Sequence, residues 1–233
     1  SLVQARPYLT GIHGYQQPVK YDYRELVNIL GLMLVASDKS LQSAEYQEKL
    51  VVVTKQILDN LIIPVRKKIN EAYVAKDTAE LERQTAVFIG ILDDLDRLLA
   101  SQPNFLLGKW LSDARSFGRN TADKAYYEKN ARVLITTWGN EGNEIVDYAS
   151  RDLSGLISSY YKVRWAKFFD ILQSSLKENK AIDMKAVNKE MASFEWSWTN
   201  LQTHFSDKAQ GNSLEIVREI FSKYKPLFEK CND

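Results

Sequence analysis

Residues 77–100 carry the pattern that most restricts how this chain can fold. Leu81, Phe88, Ile91, Leu92, Leu95, Leu98 and Leu99 recur at steps that place them on one stripe of an α-helix. The preceding Asp77-Thr78-Ala79-Glu80 has the form of a capping box with Asp at the N-cap. A second long stripe, Leu50, Val53, Ile57, Leu61, Val65, Ile69 and Tyr73, runs through a helix expected from about Leu41 to Ala75. A chain with two such segments in succession must pack them against each other, because neither can bury its apolar stripe alone. No stretch alternates apolar and polar residues over the length of a strand. The expected fold is therefore all-α, an antiparallel multi-helix bundle of about eight or nine helices.

The remaining segments fit that frame. Residues 1–20 contain Pro7, Gly11, Gly14 and Pro18 and read as an irregular lead-in, with a single all-helical domain over 21–233. Asp22 is a candidate N-cap for a helix carrying Leu26, Ile29, Leu30, Met33 and Leu34. Pro64 should kink or break the second helix. Further helices are expected over 105–117, 121–137, 147–160, 163–176 and 183–202, the last with Asp183 as N-cap. A turn at 207–213 leads to a final helix capped by Asn212 or Ser213 and ending before Pro226. The opening Ser1-Leu2-Val3-Gln4 reads as entry into the middle of a longer polypeptide.

Composition narrows the function classes. A net charge of +1 provides no concentrated basic field for nucleic acid. No stretch approaches a membrane span. The single cysteine, Cys231, excludes a disulfide framework and a thiolate metal cluster. His13 and His204 stand in unrelated contexts, and no phosphate-binding glycine loop or Gly-x-Ser-x-Gly nucleophile motif is present, so neither metal nor cofactor is expected. Asp93, Asp94 and Asp96 read as a solvated helix face.

One segment departs from the helical grammar. In Thr136-Thr137-Trp138-Gly139-Asn140-Glu141-Gly142-Asn143-Glu144-Ile145-Val146-Asp147-Tyr148, a tryptophan stands at the edge of a polar, glycine-punctuated loop. A tryptophan beside Asn, Glu and Tyr is a chemical mix suited to sugars, the ring packing on C–H faces while the polar groups take hydroxyls. Asp147 reads as the N-cap of the following helix. Tyr160, Tyr161, Trp165, Phe168 and Phe169, together with Trp196 and Trp198, occupy more helix faces than one core contact uses, which implies a partner surface.

The segments 105–115, 127–165 and 220–226 carry a long, particular order of residues. It includes Leu106-Leu107-Gly108, Trp110, Thr137-Trp138-Gly139, Asp147-Tyr148-Ala149, Tyr160-Tyr161 and Arg164-Trp165. This order resembles the C-terminal helical domain of the α-N-acetylglucosaminidases, glycoside hydrolase family 89, in its bacterial form. That family includes an enzyme acting on heparan sulfate. The resemblance implies a catalytic (β/α)8 barrel in the same polypeptide, holding the two glutamates of a retaining mechanism, with no catalytic residue in this chain. It implies that Trp138, Ile145 and Tyr148 help wall the pocket for a terminal α-linked N-acetylglucosamine. Asn143 is placed with these substrate-binding residues and is also a candidate brace. Arg132, Asp147 and Arg164 would support the loop or the interdomain contact. A periplasmic or secreted location follows from the same resemblance. The alternative is a stand-alone helical interaction or scaffold domain that turns its aromatic face to a protein partner.

Overall fold

The computed structural model describes residues 1–9, 21–22, 24–143 and 145–230. His13, Gly11, Gly14, Pro18, Glu144 and Cys231 lie outside the described residues. Among the described residues the chain forms nine α-helices and no strand, an all-α bundle.

Helices α3 (Ala44–Val74) and α4 (Thr78–Ala100) are the two long stripes. Lys76, at φ 56°, turns the chain between them, so they run antiparallel. The side chain of Asp77 accepts from the backbone N–H of Glu80 at 2.9 Å, the first half of the expected capping box. The reciprocal half is absent: the Asp77 N–H donates to the carbonyl of Ala72, and Glu80 instead receives Arg83 and Gln84. Every residue of the 81–99 stripe is buried. A short helix, α2 (Asp38–Leu41), precedes α3 with Ser43 capping between them, so the helix expected from Leu41 is two elements. Pro64 does not break α3, which continues for ten residues beyond it to Val74. Leu61, Val65 and Ile69 on the buried side hold the helix across the lost hydrogen bond.

Around this pair stand α1 (Arg24–Leu34) and α9 (Ser213–Lys230) on one flank and α7 (Lys162–Glu178) on another. Helix α1 is preceded by Asp22, whose carboxylate accepts from the Arg24 N–H; it buries Val27 and Leu30 and leaves Ile29 exposed. Asn212 caps α9 by accepting from Glu215 N–H. Helix α9 passes through Pro226 rather than stopping before it. Val217, Ile220, Tyr224 and Phe228 form one buried stripe, and seating Phe228 requires the helical path to continue past the proline. Helices α5 (Leu107–Ser116) and α6 (Thr121–Ile135) form a hairpin, and α8 (Met184–Thr199) packs on α6. Asp183 caps α8 through the N–H groups of Lys185 and Ala186.

Of the three aspartates of α4, Asp94 and Asp96 are anchors rather than a solvated face, while Asp93 is exposed as expected. Asp94 is buried and accepts from Lys223 and from the Tyr224 hydroxyl, both on α9. Asp93 pairs with Lys162 at 2.5 Å. Asp96 accepts from the N–H groups of Gly155 and Ser158 and so caps, from a neighbouring helix, the turn that leads into α7.

That turn, Ile157–Tyr161, is π-helical and runs directly into α7. Its wider winding rotates the following side chains, so Tyr160 and Tyr161 face a different direction from Trp165, Phe168 and Phe169. Phe88 of α4 meets Trp165 and Phe169, Arg66 of α3 lies over Trp165 and Phe168, and Tyr160 meets Phe194 and Trp198 of α8. The aromatic faces of α7 are thus covered by its own chain. The aromatic surplus expected to need a partner is consumed internally, and all five rings are buried. Trp198 is buried too, whereas Trp196 is half-buried under Lys129.

The lead-in is irregular over residues 1–9, yet Leu2, Val3 and Gln4 are buried. The Val3 carbonyl accepts from the indole N–H of Trp165 at 3.1 Å, and the Gln4 carbonyl accepts from Arg164 at 2.7 Å.

Candidate functional site

Helix α6 ends at Ile135, and helical geometry resumes only at Leu156. The helix expected from Asp147 to Tyr160 does not form in its first half. Asp147, Ser150 and Gly155 have φ of 56°, 48° and 88°, left-handed values that cannot propagate a right-handed helix. Asp147 is accordingly not an N-cap. The Ser150 N–H donates to its backbone carbonyl, while its carboxylate is drawn into the core.

The loop begins with a reversal at Trp138, φ 57°, whose N–H donates to the Val133 carbonyl at 2.8 Å and closes the end of α6. This backbone turns the indole outward, 40% exposed. Asn143 holds the hairpin of the loop, its amide donating to the carbonyls of Thr137 at 3.1 Å and Ile145 at 3.3 Å. Its side chain is therefore engaged with the loop itself, the geometry of a brace. Gly139 sits against that amide, and a Cβ there would stand 2.8 Å from the Asn143 nitrogen. The Asp147 N–H then donates to Thr136 carbonyl at 2.6 Å, bringing the far limb back beside the near one. Trp138 and Tyr148 are thereby juxtaposed, with ring centroids 4.9 Å apart and planes at 47°. Tyr148 is 60% exposed and Ile145 46%. Three large apolar or aromatic side chains thus share one outward loop, and Glu141 is exposed beside them.

Beneath the loop lies an ionic cluster. Arg164, fully buried on α7, donates through Nη1 to Asp147 Oδ2 at 2.8 Å and to Glu195 Oε1 at 2.7 Å, and through Nη2 to the Gln4 carbonyl. Glu195 of α8 also receives the forked guanidinium of Arg6. The Arg164 guanidinium lies over the rings of Tyr160 and Tyr161. Two cations and two carboxylates are set among apolar walls, where charge is costly unless paired. Burial, with a smaller contribution from Glu195, pushes the Asp147 carboxyl up to about 7 despite the attraction of Arg164. Asp147 Oδ1 and Arg164 Nε have no partner among the described residues.

Arg132 occupies a second, separate cluster. Fully buried on α6, it pairs with Glu128, donates to the Thr203 carbonyl at 3.1 Å and stacks between Trp198 and Phe205. It fixes α6 to the 201–212 segment. Arg132 therefore supports the helix that launches the loop, without touching the loop's tip. The structure thus brings Trp138 and Tyr148 together on the outside, on the loop that also exposes Ile145, and Asp147 and Arg164 together on the inside.

Glu195, Arg6 and Gln4 were missed by the sequence reading. Glu195 did carry a signal: it is the one acid inside the aromatic run Phe194-Glu195-Trp196-Ser197-Trp198, a setting in which a carboxylate is buried and needs a cation. Arg6 and Gln4 carried none.

Comparison with known proteins decides the family. The model of the α-N-acetylglucosaminidase C-terminal domain matches residues 1–223. This chain belongs to that family. Human α-N-acetylglucosaminidase is 30% identical over 207 residues, covering 88% of this chain and 28% of the human protein. A family 89 glycoside hydrolase from Clostridium perfringens, solved in complex with PUGNAc, superposes with a TM-score of 0.87 at 26% identity. That match covers 100% of this chain and 27% of the other. The Clostridium perfringens enzyme in complex with GlcNAc-α-1,4-galactose superposes with a TM-score of 0.86 at 24% identity, a likeness of fold. The chain spans little more than a quarter of the length of these relatives. As an α-N-acetylglucosaminidase C-terminal domain, it combines an outward aromatic loop with an internally satisfied core.

Proposed function

We propose that this domain completes the substrate pocket of a retaining exo-α-N-acetylglucosaminidase. In this reading it docks on a catalytic (β/α)8 barrel of the same polypeptide. Trp138, Ile145 and Tyr148 form part of the wall around a terminal, non-reducing α-linked N-acetylglucosamine. The observation that carries the reading is the exposed Trp138–Tyr148 pair, held at 4.9 Å on a braced loop, whereas the aromatic cluster of α7 is buried. Tilted rings of this kind offer an apolar wall to the C–H face of a pyranose, with the tyrosine hydroxyl free to meet its oxygens. An exposed face supports docking: Phe117 just after α5 and Tyr126, Tyr127 and Leu134 on α6 lie outward on the segment leading to Trp138. The catalytic glutamates belong to the barrel in this reading, and Glu141 has no catalytic part. Heparan sulfate is the natural glycan class it suggests, and a periplasmic or secreted location goes with it.

The test is Trp138→Ala in the complete enzyme, assayed on an aryl α-N-acetylglucosaminide. A fall in kcat/KM of ~10-fold or more is expected from loss of substrate positioning. An unchanged value would reduce Trp138 to a cap on the bundle end. The 1–233 chain alone is expected to show no turnover, and measurable hydrolysis by it would sink the assignment of the catalytic glutamates to another domain.

A further inference from the structure

Asp147 is the only buried residue among the described residues of 138–150. What that loop presents outward is held inward at this buried side chain, at Ala149 partly buried against the core, at the Asn143 amide on the Thr137 carbonyl and at a few backbone bonds. From the geometry of that attachment we infer that Asp147 is a positioning residue: its hydrogen bond to Arg164 sets the place of the neighbouring Tyr148 ring, and through it Trp138, against the sugar. The inference rests on the proposed role of the aromatic pair.

Three features argue for it. The backbone of Asp147 is left-handed, so its side chain and that of Tyr148 diverge, one to the core and one to solvent. Arg164, the anchor, is immobilised from three other directions, by Glu195 of α8, by the Gln4 carbonyl, and by the stacked rings of Tyr160 and Tyr161. The loop is thus pinned to a point to which three other segments of the molecule also attach. Finally, Tyr148 is in ring contact with Trp138, so a displacement at Asp147 passes to the second ring. A carboxylate at the bottom of a loop is an expensive pin compared with an apolar residue, since its burial opposes ionisation. What it adds over a leucine is direction: hydrogen bonds fix orientation where apolar contacts tolerate rotation.

The test uses the complete enzyme, assayed below pH 7. Asp147→Gly removes the pin while keeping a residue at ease at positive φ. Asp147→Asn keeps an accepting oxygen and, like aspartate, tolerates that backbone. Asp147→Gly is expected to lower kcat/KM ~10-fold, chiefly through KM, and Asp147→Asn to stay within ~3-fold of the parent. The double variant with Trp138→Ala decides the route. If Asp147 acts through the ring pair, the two losses are strongly non-additive. Additive losses, or a Gly variant as active as the parent, overturn the inference. If Trp138→Ala itself has no effect, it is the pocket-wall reading that fails. Should Asp147→Gly not fold, Arg164→Lys enters the same cycle; it keeps a buried cation and gives up the fork that serves Asp147, Glu195 and Gln4 together, and additivity there overturns the inference equally.

Discussion

The aromatic run 160–169 and the aromatic pair Trp138–Tyr148 use the same residue types to opposite ends. In the first, Tyr160, Tyr161, Trp165, Phe168 and Phe169 are buried, with neighbours supplied by α3, α4 and α8. In the second, two large rings stand exposed, touching mainly each other. Rings are costly to leave in water, so an exposed pair held in contact on a braced loop, like the exposed Phe117, Tyr126 and Tyr127 beside it in sequence, marks a surface suited to a ligand or partner. The difference lies in the backbone rather than in hydrophobicity. A π-helical turn lets one helix bury rings on two sides, whereas left-handed residues at Trp138 and Asp147 aim one ring out and one carboxylate in.

This contrast can be broken from either side. The largest effect is expected inside. Trp165→Ala removes a ring packed on Phe88 and Phe169 and an indole bond to the Val3 carbonyl, and should cost ~3–5 kcal/mol, read as loss of a cooperative thermal transition or a large fall in Tm of the 1–233 chain. Arg164→Met should cost a similar ~3–5 kcal/mol, because among the described residues Asp147 and Glu195 are left with Arg6 as the nearby cation. If instead this variant is as stable as the parent, the cluster serves orientation alone.

Next in size is Gly155→Ala. Its φ of 88° and the 2.8 Å approach of a Cβ to the Phe205 ring should cost ~1–3 kcal/mol in denaturant unfolding. The titration of Asp147 gives a smaller, directional effect. Its native carboxyl ionises near 7, whereas the unfolded one ionises at ~4. Between these limits the native state binds more protons. Stability should therefore be greatest at the acidic end and fall as pH rises from ~4 towards 7, levelling above it. Comparing the parent with Asp147→Asn across that window isolates the group, since the variant lacks the slope. A parent whose advantage over the variant grows with pH would mean that Arg164 outweighs burial at this site.

The smallest stability change is expected outside: Trp138→Ala should lie within ~0.5 kcal/mol of the parent by the same unfolding measurement. A large destabilisation would show that the exposed pair also supports the fold and would blur the contrast between the two regions.

Much of this architecture was legible in the sequence. The stripes of α3 and α4, the caps at Asp77, Asp183 and Asn212 and the exceptional character of the 136–148 loop are all local patterns, and each is governed by residues within a few positions. What misled was long-range. Pro64 and Pro226 signal helix ends, but tertiary packing on buried stripes carries both helices through. Asp147 resembles an N-cap because local spacing cannot reveal an arginine seventeen residues away. Asp94 and Asp96 of α4 resemble a solvated face because their partners lie on α9 and the turn before α7.

By itself, then, the sequence determined that this protein is helical, roughly where its helices lie, and that its loop at Trp138 is chemically unlike the rest. Helix formation and capping are decided over one or two turns. Only the tertiary structure decided which aromatics are core, which stay outside, and that Asp147 turns inward to Arg164. Those outcomes depend on burial and ion pairing between segments far apart in the chain, and distance in space is not written in distance along it.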